Sequence, residues 1–156
     1  MISKLKIAGL AFVFLWFAFG GVGHFTSTEK FVAIMPPYMP LHLEAVYISG
    51  VFELLGALGL VFAVTRRYAG WGLIALTILV TPANVHMWLN PELFPDVSPT
   101  ALLIRLPVQI LLILLIWWAS KPTGTASDEQ EQKQASVFLA GGDILSLNQI
   151  IKFLVK

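Results

Sequence analysis

Two side chains of opposite charge, Glu53 and Arg105, each stand inside an apolar stretch long enough to cross a bilayer, and Asn84 and His86 stand in a third such stretch. An ionisable group in hydrocarbon costs at least ~2.5–3.5 kcal/mol on insertion scales, so it turns toward a bundle interior, finds a partner and marks a site. A carboxylate and a guanidinium satisfy each other in a low dielectric, and the guanidinium can do so bidentately. The chemistry open to such a set is proton exchange at Glu53 and hydrogen bonding at Arg105, Asn84 and Gln109.

The elements that position these residues follow from composition and hydropathy. Hydrophobic residues make up 57% of the chain and charged residues 12%, with a mean hydropathy of +0.79, values that fit a multi-span membrane protein and not a soluble domain. Four windows qualify as spans: Leu5 to Phe25, Leu43 to Val64, Tyr68 to Leu89, and Ala101 to Ala119. The predicted fold is all-α. It is a four-helix transmembrane bundle with a short interfacial helix between spans one and two and a cytoplasmic C-terminal tail. Any chemistry must then lie in the bundle or its loops.

Basic residues orient the spans. Lys4 and Lys6 precede span one, Arg66 and Arg67 join spans two and three, and Lys121 follows span four, whereas the other two loops hold only Lys30. The positive-inside rule therefore predicts a cell-membrane protein with both termini cytoplasmic. Lys4, Lys6 and the small run Gly21-Val22-Gly23 also suit a secretory signal, but the apolar run exceeds an ordinary signal core, and span one is read as retained. With no cysteine in the chain, any redox role borrows its electron carrier.

Each span carries a polar or small-residue face. In span one Gly9, Val13, Trp16, Gly20 and Gly23-His24 recur at helical spacing, and in span two Ser49, Gly50, Glu53, Gly56 and Ala57 share one arc that must face inward. Span three has Thr81-Pro82, which predicts a kink in its outer half, and Thr77, Thr81, Asn84 and Trp88 along one face, with His86 pointing elsewhere. In span four Arg105 and Gln109 share a face with Leu112 and Ile116, while Pro107 is expected near the helix start. Between spans one and two, Thr26-Ser27-Thr28-Glu29 has capping-box spacing, and Met35-Pro36-Pro37-Tyr38-Met39-Pro40 suits a lid over the bundle mouth.

Depth joins these pieces: at 1.5 Å per residue Glu53 lies roughly 15 Å below the outer end of its span, and Asn84 and Arg105 roughly 6–8 Å below theirs. The expected result is one outer-half cluster of Glu53, Asn84, Arg105 and Gln109, with Glu53 paired to Arg105 and with His24 and His86 at the rim. It reads either as a ligand site or as a pair that fixes helix register. Neither histidine belongs to a short metal-ligand motif, so no metal site is expected.

Gly23-His24-Phe25, Met35-Pro36-Pro37-Tyr38-Met39-Pro40, Ser49-Gly50-Val51-Phe52-Glu53, Pro82-Ala83-Asn84-Val85-His86-Met87 and Arg105-Leu106-Pro107-Val108-Gln109 resemble, in order, the DoxX family of small four-span membrane proteins. The resemblance covers about Leu5 to Ala119 and places Glu53, Asn84, Arg105 and Gln109 at that family's embedded polar positions, while His86 falls in a variable slot. DoxX relatives include a subunit attributed to thiosulfate:quinone oxidoreductase. The resemblance thus implies a redox-associated subunit in which a quinone-like lipophile meets Arg105, Asn84 or Gln109 while Glu53 handles protons. Two alternatives stand beside it: a non-catalytic accessory subunit of a membrane oxidoreductase complex, and a small proton-linked carrier. A quinone is the cofactor admitted, with none intrinsic to the chain. The partners are the lipid bilayer, an oxidoreductase and a second copy in a homo-oligomer. A net charge of +1 with no basic stripe gives no support to nucleic-acid binding.

Beyond the membrane domain, 1–121, the stretch 122–136 has the composition of a polar linker. In 137–156, Asp143 is placed to cap a helix whose Ile144, Leu147, Ile151 and Leu154 form an apolar stripe, an amphipathic cytoplasmic segment.

Overall fold

The computed structural model describes residues 3–122 together with Gln130, Lys133, Gln134 and Ser136. The chain divides into two units, Met1–Lys121 and Pro122–Lys156. In the second, Gln130, Lys133, Gln134 and Ser136 are helical and exposed, and the Ser136 hydroxyl donates to the Lys133 carbonyl at 2.8 Å. The amphipathic segment expected over 137–156 lies outside the described residues.

In the first unit, four apolar stretches are long enough to span a membrane: helix α1 (Lys4–Thr26), α3 (His42–Val61), the Ala63–Leu89 stretch made of α4 (Ala63–Leu79) and α5 (Thr81–Leu89), and α6 (Pro99–Ser120). Their lengths follow from the hydrocarbon thickness, since 20 or more residues at ~1.5 Å each cover about 30 Å. The short helix α2 (Thr28–Ala33) lies between the first two, and a 3-10 turn, Pro91–Leu93, precedes α6. The four-span, all-α bundle expected from hydropathy is what the chain forms.

Around the bundle, α1 packs on α3 and α6, and α4 packs on the same two helices, so α3 and α6 face one another across a diagonal. Side chains spaced three or four apart meet at the centre: Val13 and Phe17 of α1, Ala57 and Leu60 of α3, Leu73 and Ile74 of α4, Leu112 and Ile116 of α6. The outward faces stay apolar, including Phe19, Leu55, Trp71 and Leu111, as surfaces that meet lipid must be. The closest crossing is α1 on α3, where a Cβ on Gly21 would lie 3.1 Å from the Gly50 carbonyl and one on Gly50 would lie 3.2 Å from the Gly21 carbonyl. Only glycine at both positions permits that approach.

The chain ends of the bundle share one side. Lys6 is buried, and its ammonium donates to the Lys121 carbonyl just past α6. Arg66 donates from Nε to the Leu60 carbonyl at 3.0 Å and from Nη2 to the Val61 carbonyl at 3.3 Å, serving the last turn of α3. Lys121 sits over the Trp117 ring, 3.0 Å from its centroid. Cations at helix C-termini satisfy orphan carbonyls and oppose the negative end of the helix dipole. The α2 and Pro91–Leu93 segments lie at the opposite, loop end.

Three local expectations are corrected. The capping box does not form: α1 runs on to Thr26, Ser27 is the cap of α2 at φ −134° and ψ 37° without a side-chain cap bond, and the Thr26 hydroxyl turns back to the Val22 carbonyl at 3.2 Å. Pro107 is inside α6, because the helix starts earlier than the apolar window, at Pro99, where Ser98 accepts from the Ala101 N–H. Trp16 and Trp88 leave their expected faces and are exposed. The kink forecast at Thr81-Pro82 appears as a break at Val80, with Pro82 in the first turn of α5, where its missing donor is tolerated.

Candidate functional site

The polar residues of the spans fall into two groups and an outlier. The first group lies between α1 and α3. His24 Nε2 approaches Glu53 Oε1 at 3.5 Å, and the two side chains are 7% and 13% exposed. Glu53 fits because α1 offers no side chain at Gly20: a Cβ there would stand 2.5 Å from Glu53 Oε2. The His24 ring is stacked on Phe31 of α2, with centroids 4.0 Å apart, and Thr28 at the start of α2 donates to the His24 carbonyl at 2.8 Å. His24 Nδ1 is buried and makes no hydrogen bond. A buried polar atom without a partner is uncommon and calls for a reason, a ligand among them.

The second group joins α4, α5 and α6. Gln109 Oε1 accepts from Asn84 Nδ2 at 2.7 Å, and Gln109 Nε2 donates to the Thr77 carbonyl at 2.8 Å and to Thr81 Oγ1. Thr81 Oγ1 in turn donates to the Thr77 carbonyl at 3.3 Å, and the Thr77 hydroxyl to the Leu73 carbonyl at 2.7 Å. Where a proline interrupts a membrane helix, neighbouring side chains must satisfy the freed backbone groups, and Gln109 and Thr81 do so here. The Gln109 amide is thereby used at both ends, and of its partners Asn84 keeps its Oδ1 uncommitted.

Arg105 is the outlier. It is exposed, and its Nη1 donates to the thioether of Met87 at 3.3 Å. The expected Glu53–Arg105 pair is not made: among the described residues the ion-pair partner of Glu53 is His24. The reason is lateral, since α3 and α6 stand on a diagonal of the bundle and similar depth does not bring their side chains together. His24 accordingly moves from the rim of the expected cluster to its charged centre. His86 is half-buried with Nδ1 unpartnered, its ring edge-on to Phe94 at 6.1 Å, and no hydrogen bond links it to Asn84 or Gln109.

Sequence reasoning missed Phe31 as the cover over His24 and assigned that place to the Met35–Pro40 run. In that run Pro36 is buried, its carbonyl lies 3.1 Å from His42 Nε2, and Tyr38 is exposed. Leu41, at φ 57°, takes the left-handed turn that leads into α3. The available signal for Phe31 was its place seven residues beyond His24, on a helix too short to have a core of its own.

These features define an all-α, multi-pass membrane protein with a His–Glu pair near the loop end and a neutral amide–hydroxyl network at a broken span. The chain belongs to the family described as a domain of unknown function, DUF8561, whose model matches residues 13–120, from the middle of α1 to the end of α6. No curated protein and no solved structure matches it.

Proposed function

We propose that this chain is a redox-associated membrane subunit that takes a quinone-like lipophile at the loop end of the bundle, with His24 and Glu53 as the groups that exchange protons with it. The observation that carries this reading is the unpartnered, buried Nδ1 of His24, whose other ring nitrogen faces Glu53. A quinone supplies carbonyl oxygens that take up two protons and two electrons on reduction. Glu53 faces the imidazole at Nε2, which leaves Nδ1 as the ring atom open to a ligand: it donates a hydrogen bond or a proton to a quinone oxygen when it carries the ring proton and accepts one when it does not. Both side chains exchange protons, and the pair can be recharged through either. The electrons come from a partner oxidoreductase. The DoxX-like order of motifs supports the same assignment, and the grouping of Lys4, Lys6, Arg66, Arg67 and Lys121 supports a cell-membrane location with cytoplasmic termini. Reporter fusions after Arg67 and Lys121 should read cytoplasmic and one after Asp96 external; an external reading at Lys121 overturns that orientation.

A titration of short-chain ubiquinone into detergent-purified protein, followed by quenching of its tryptophans, tests the site. His24→Gln should weaken binding about tenfold, the worth of one charge-assisted hydrogen bond, and Gln109→Leu should leave it unchanged. Equal affinity in the His24 variant removes the pair from the site. If the wild type binds no quinone, the accessory-subunit reading takes its place. That reading is favoured by the saturated Gln109 network, and its mark is co-purification of an oxidoreductase.

A further inference from the structure

One face of α6 is covered in one half of the bundle and open in the other. Ala101, Arg105, Val108, Leu112, Leu115 and Ala119 recur at intervals of four and three and so share that face. Toward the chain ends Leu112 and Ala119 are buried and Leu115 is partly so. There α1 packs on the helix: a Cβ on Gly9 would lie 2.9 Å from the Trp118 ring, 3.5 Å from Leu115 and 3.6 Å from Ala119. Toward the loop end Ala101, Arg105 and Val108 are exposed. Arg105 is exposed although it shares its arc with buried Leu102 and Gln109 and touches buried Met87. The surface it shows therefore lies within the outline of the bundle, where α1 and α6 part.

Register identifies the opposite wall. The two helices run antiparallel, with Lys6 bonded to the Lys121 carbonyl at the closed end, and Gly9 is level with 115–119. Eleven residues are about three turns, so Gly20 lies on the same face of α1 as Gly9 and is level with 104–108 of α6. Trp16, on that face one turn below Gly20, is exposed. The space that a side chain would take at Gly20 is held by Glu53 Oε2. The carboxylate of α3 thus reaches the α1 wall at the depth of Arg105 on the α6 wall, and among the described residues the two form no ion pair.

We infer that the loop half of the α1–α6 interface is a lateral cleft open to the bilayer, which takes a long-tailed quinone with its ring between Arg105 and Glu53 and its tail running out past Trp16 and Val108. The occupant rests on the quinone reading; the cleft does not. A plain acyl chain would leave unanswered a guanidinium whose one polar contact is a thioether, a weak acceptor. A phospholipid headgroup stays in the interfacial layer, whereas Arg105 lies six residues into α6, about 9 Å from its start at 1.5 Å per residue. A ring that bears carbonyl oxygens on an apolar tail meets the polar floor and the apolar mouth together.

The test treats the full chain in phosphatidylcholine vesicles with dicyclohexylcarbodiimide, which travels through hydrocarbon, or with a cationic, water-soluble carbodiimide, and reads carboxyl modification by peptide mass spectrometry. The apolar reagent should modify Glu53, and the water-soluble one should modify exposed Glu44 and Glu92 and spare Glu53. Val108→Phe, which narrows the cleft, should slow the reaction at Glu53 several-fold and leave Glu44 and Glu92 unchanged; Ala101→Phe on the same face serves if that variant does not fold. Val108→Phe should also weaken decylubiquinone about fivefold, the worth of one or two buried methylenes, and leave the tailless ubiquinone unchanged. Equal modification of Glu53 by both reagents, none by either, as when a second copy fills the cleft, or an unchanged rate in Val108→Phe overturns the cleft. Equal effects on the two quinones overturn the occupant alone. If Glu53 reacts as expected and neither quinone binds, the quinone reading fails and takes the occupant with it.

Discussion

On the α1–α3 side of the bundle a histidine and a glutamate face each other across two glycine-lined helices, and one ring nitrogen is left without a partner. On the α4–α5–α6 side an asparagine, a glutamine and two threonines close on one another and on the backbone of a broken helix. Both groups are polar residues placed in apolar spans, at the expense of insertion. What separates them is saturation. The neutral group uses the Gln109 donors to repair the backbone at Val80, so its role is structural, and a ligand would find only Asn84 Oδ1 open without breaking existing bonds. The charged group is unfinished at His24 Nδ1, where a ligand adds a bond and breaks none.

The largest expected effect lies at the charged group. His24→Leu should leave an uncompensated buried carboxylate and lower stability by about 3–5 kcal/mol, and the double change His24→Leu with Glu53→Leu should recover much of that loss. The corresponding cycle between Glu53 and Arg105 should be additive, because residues without shared partners do not couple. Thermal or denaturant unfolding in detergent measures both cycles. Strong Glu53–Arg105 coupling would merge the two sides of the bundle into one site and end the contrast.

A smaller effect is expected on the neutral side. Gln109→Leu removes the partner of Asn84 Nδ2 and two donors at the break, and membrane hydrogen bonds average ~0.6 kcal/mol, so the loss should be about 1–2 kcal/mol. Asn84→Leu removes one bond and should lose less. Ubiquinone binding should be unchanged in both, the reverse of what a single four-residue cluster predicts. Weaker binding with unchanged melting would return these residues to the ligand site.

Much of this contrast could be read from the residues. Hydropathy located all four spans within a few residues of their observed ends, because bilayer thickness sets both length and composition. The Thr77, Thr81, Asn84 face was legible from helical spacing, and it does meet Gln109. Thr81-Pro82 announced the break at Val80. Neighbour relations were not legible: depth along a helix follows from residue number, but lateral position depends on which helices adjoin, and spans two and four lie on a diagonal. Hence Glu53 was matched by depth to Arg105 and is matched by packing to His24. Pairing of His24 with Glu53 depends on Gly20 and on the Gly21–Gly50 crossing, which the small-residue seams hinted at without giving the register.

The finest distinction concerns the cover. Phe31 of α2 stacks on His24, whereas Asn84 and Gln109 are held by hydrogen bonds to each other and to the broken span. A stacked aromatic pair adds about 0.5–1.5 kcal/mol beyond area burial, and α2 is a single short helix, so Phe31→Leu should shift the melting only slightly. Its effect should appear as access to the imidazole. Diethyl pyrocarbonate acylates unprotonated ring nitrogens, and peptide mass spectrometry resolves its rate at His24, His42 and His86 in one sample. With Phe31 shortened, His24 should react several-fold faster while the other two keep their wild-type rates. A uniform rise at all three histidines would mean that the bundle had loosened generally, and no rise at His24 would mean that Phe31 packs beside the pair without guarding it. The selective outcome would sharpen the contrast between the two sides: the neutral network is closed by its own bonds, and the charged pair by a short helix that can be lifted away.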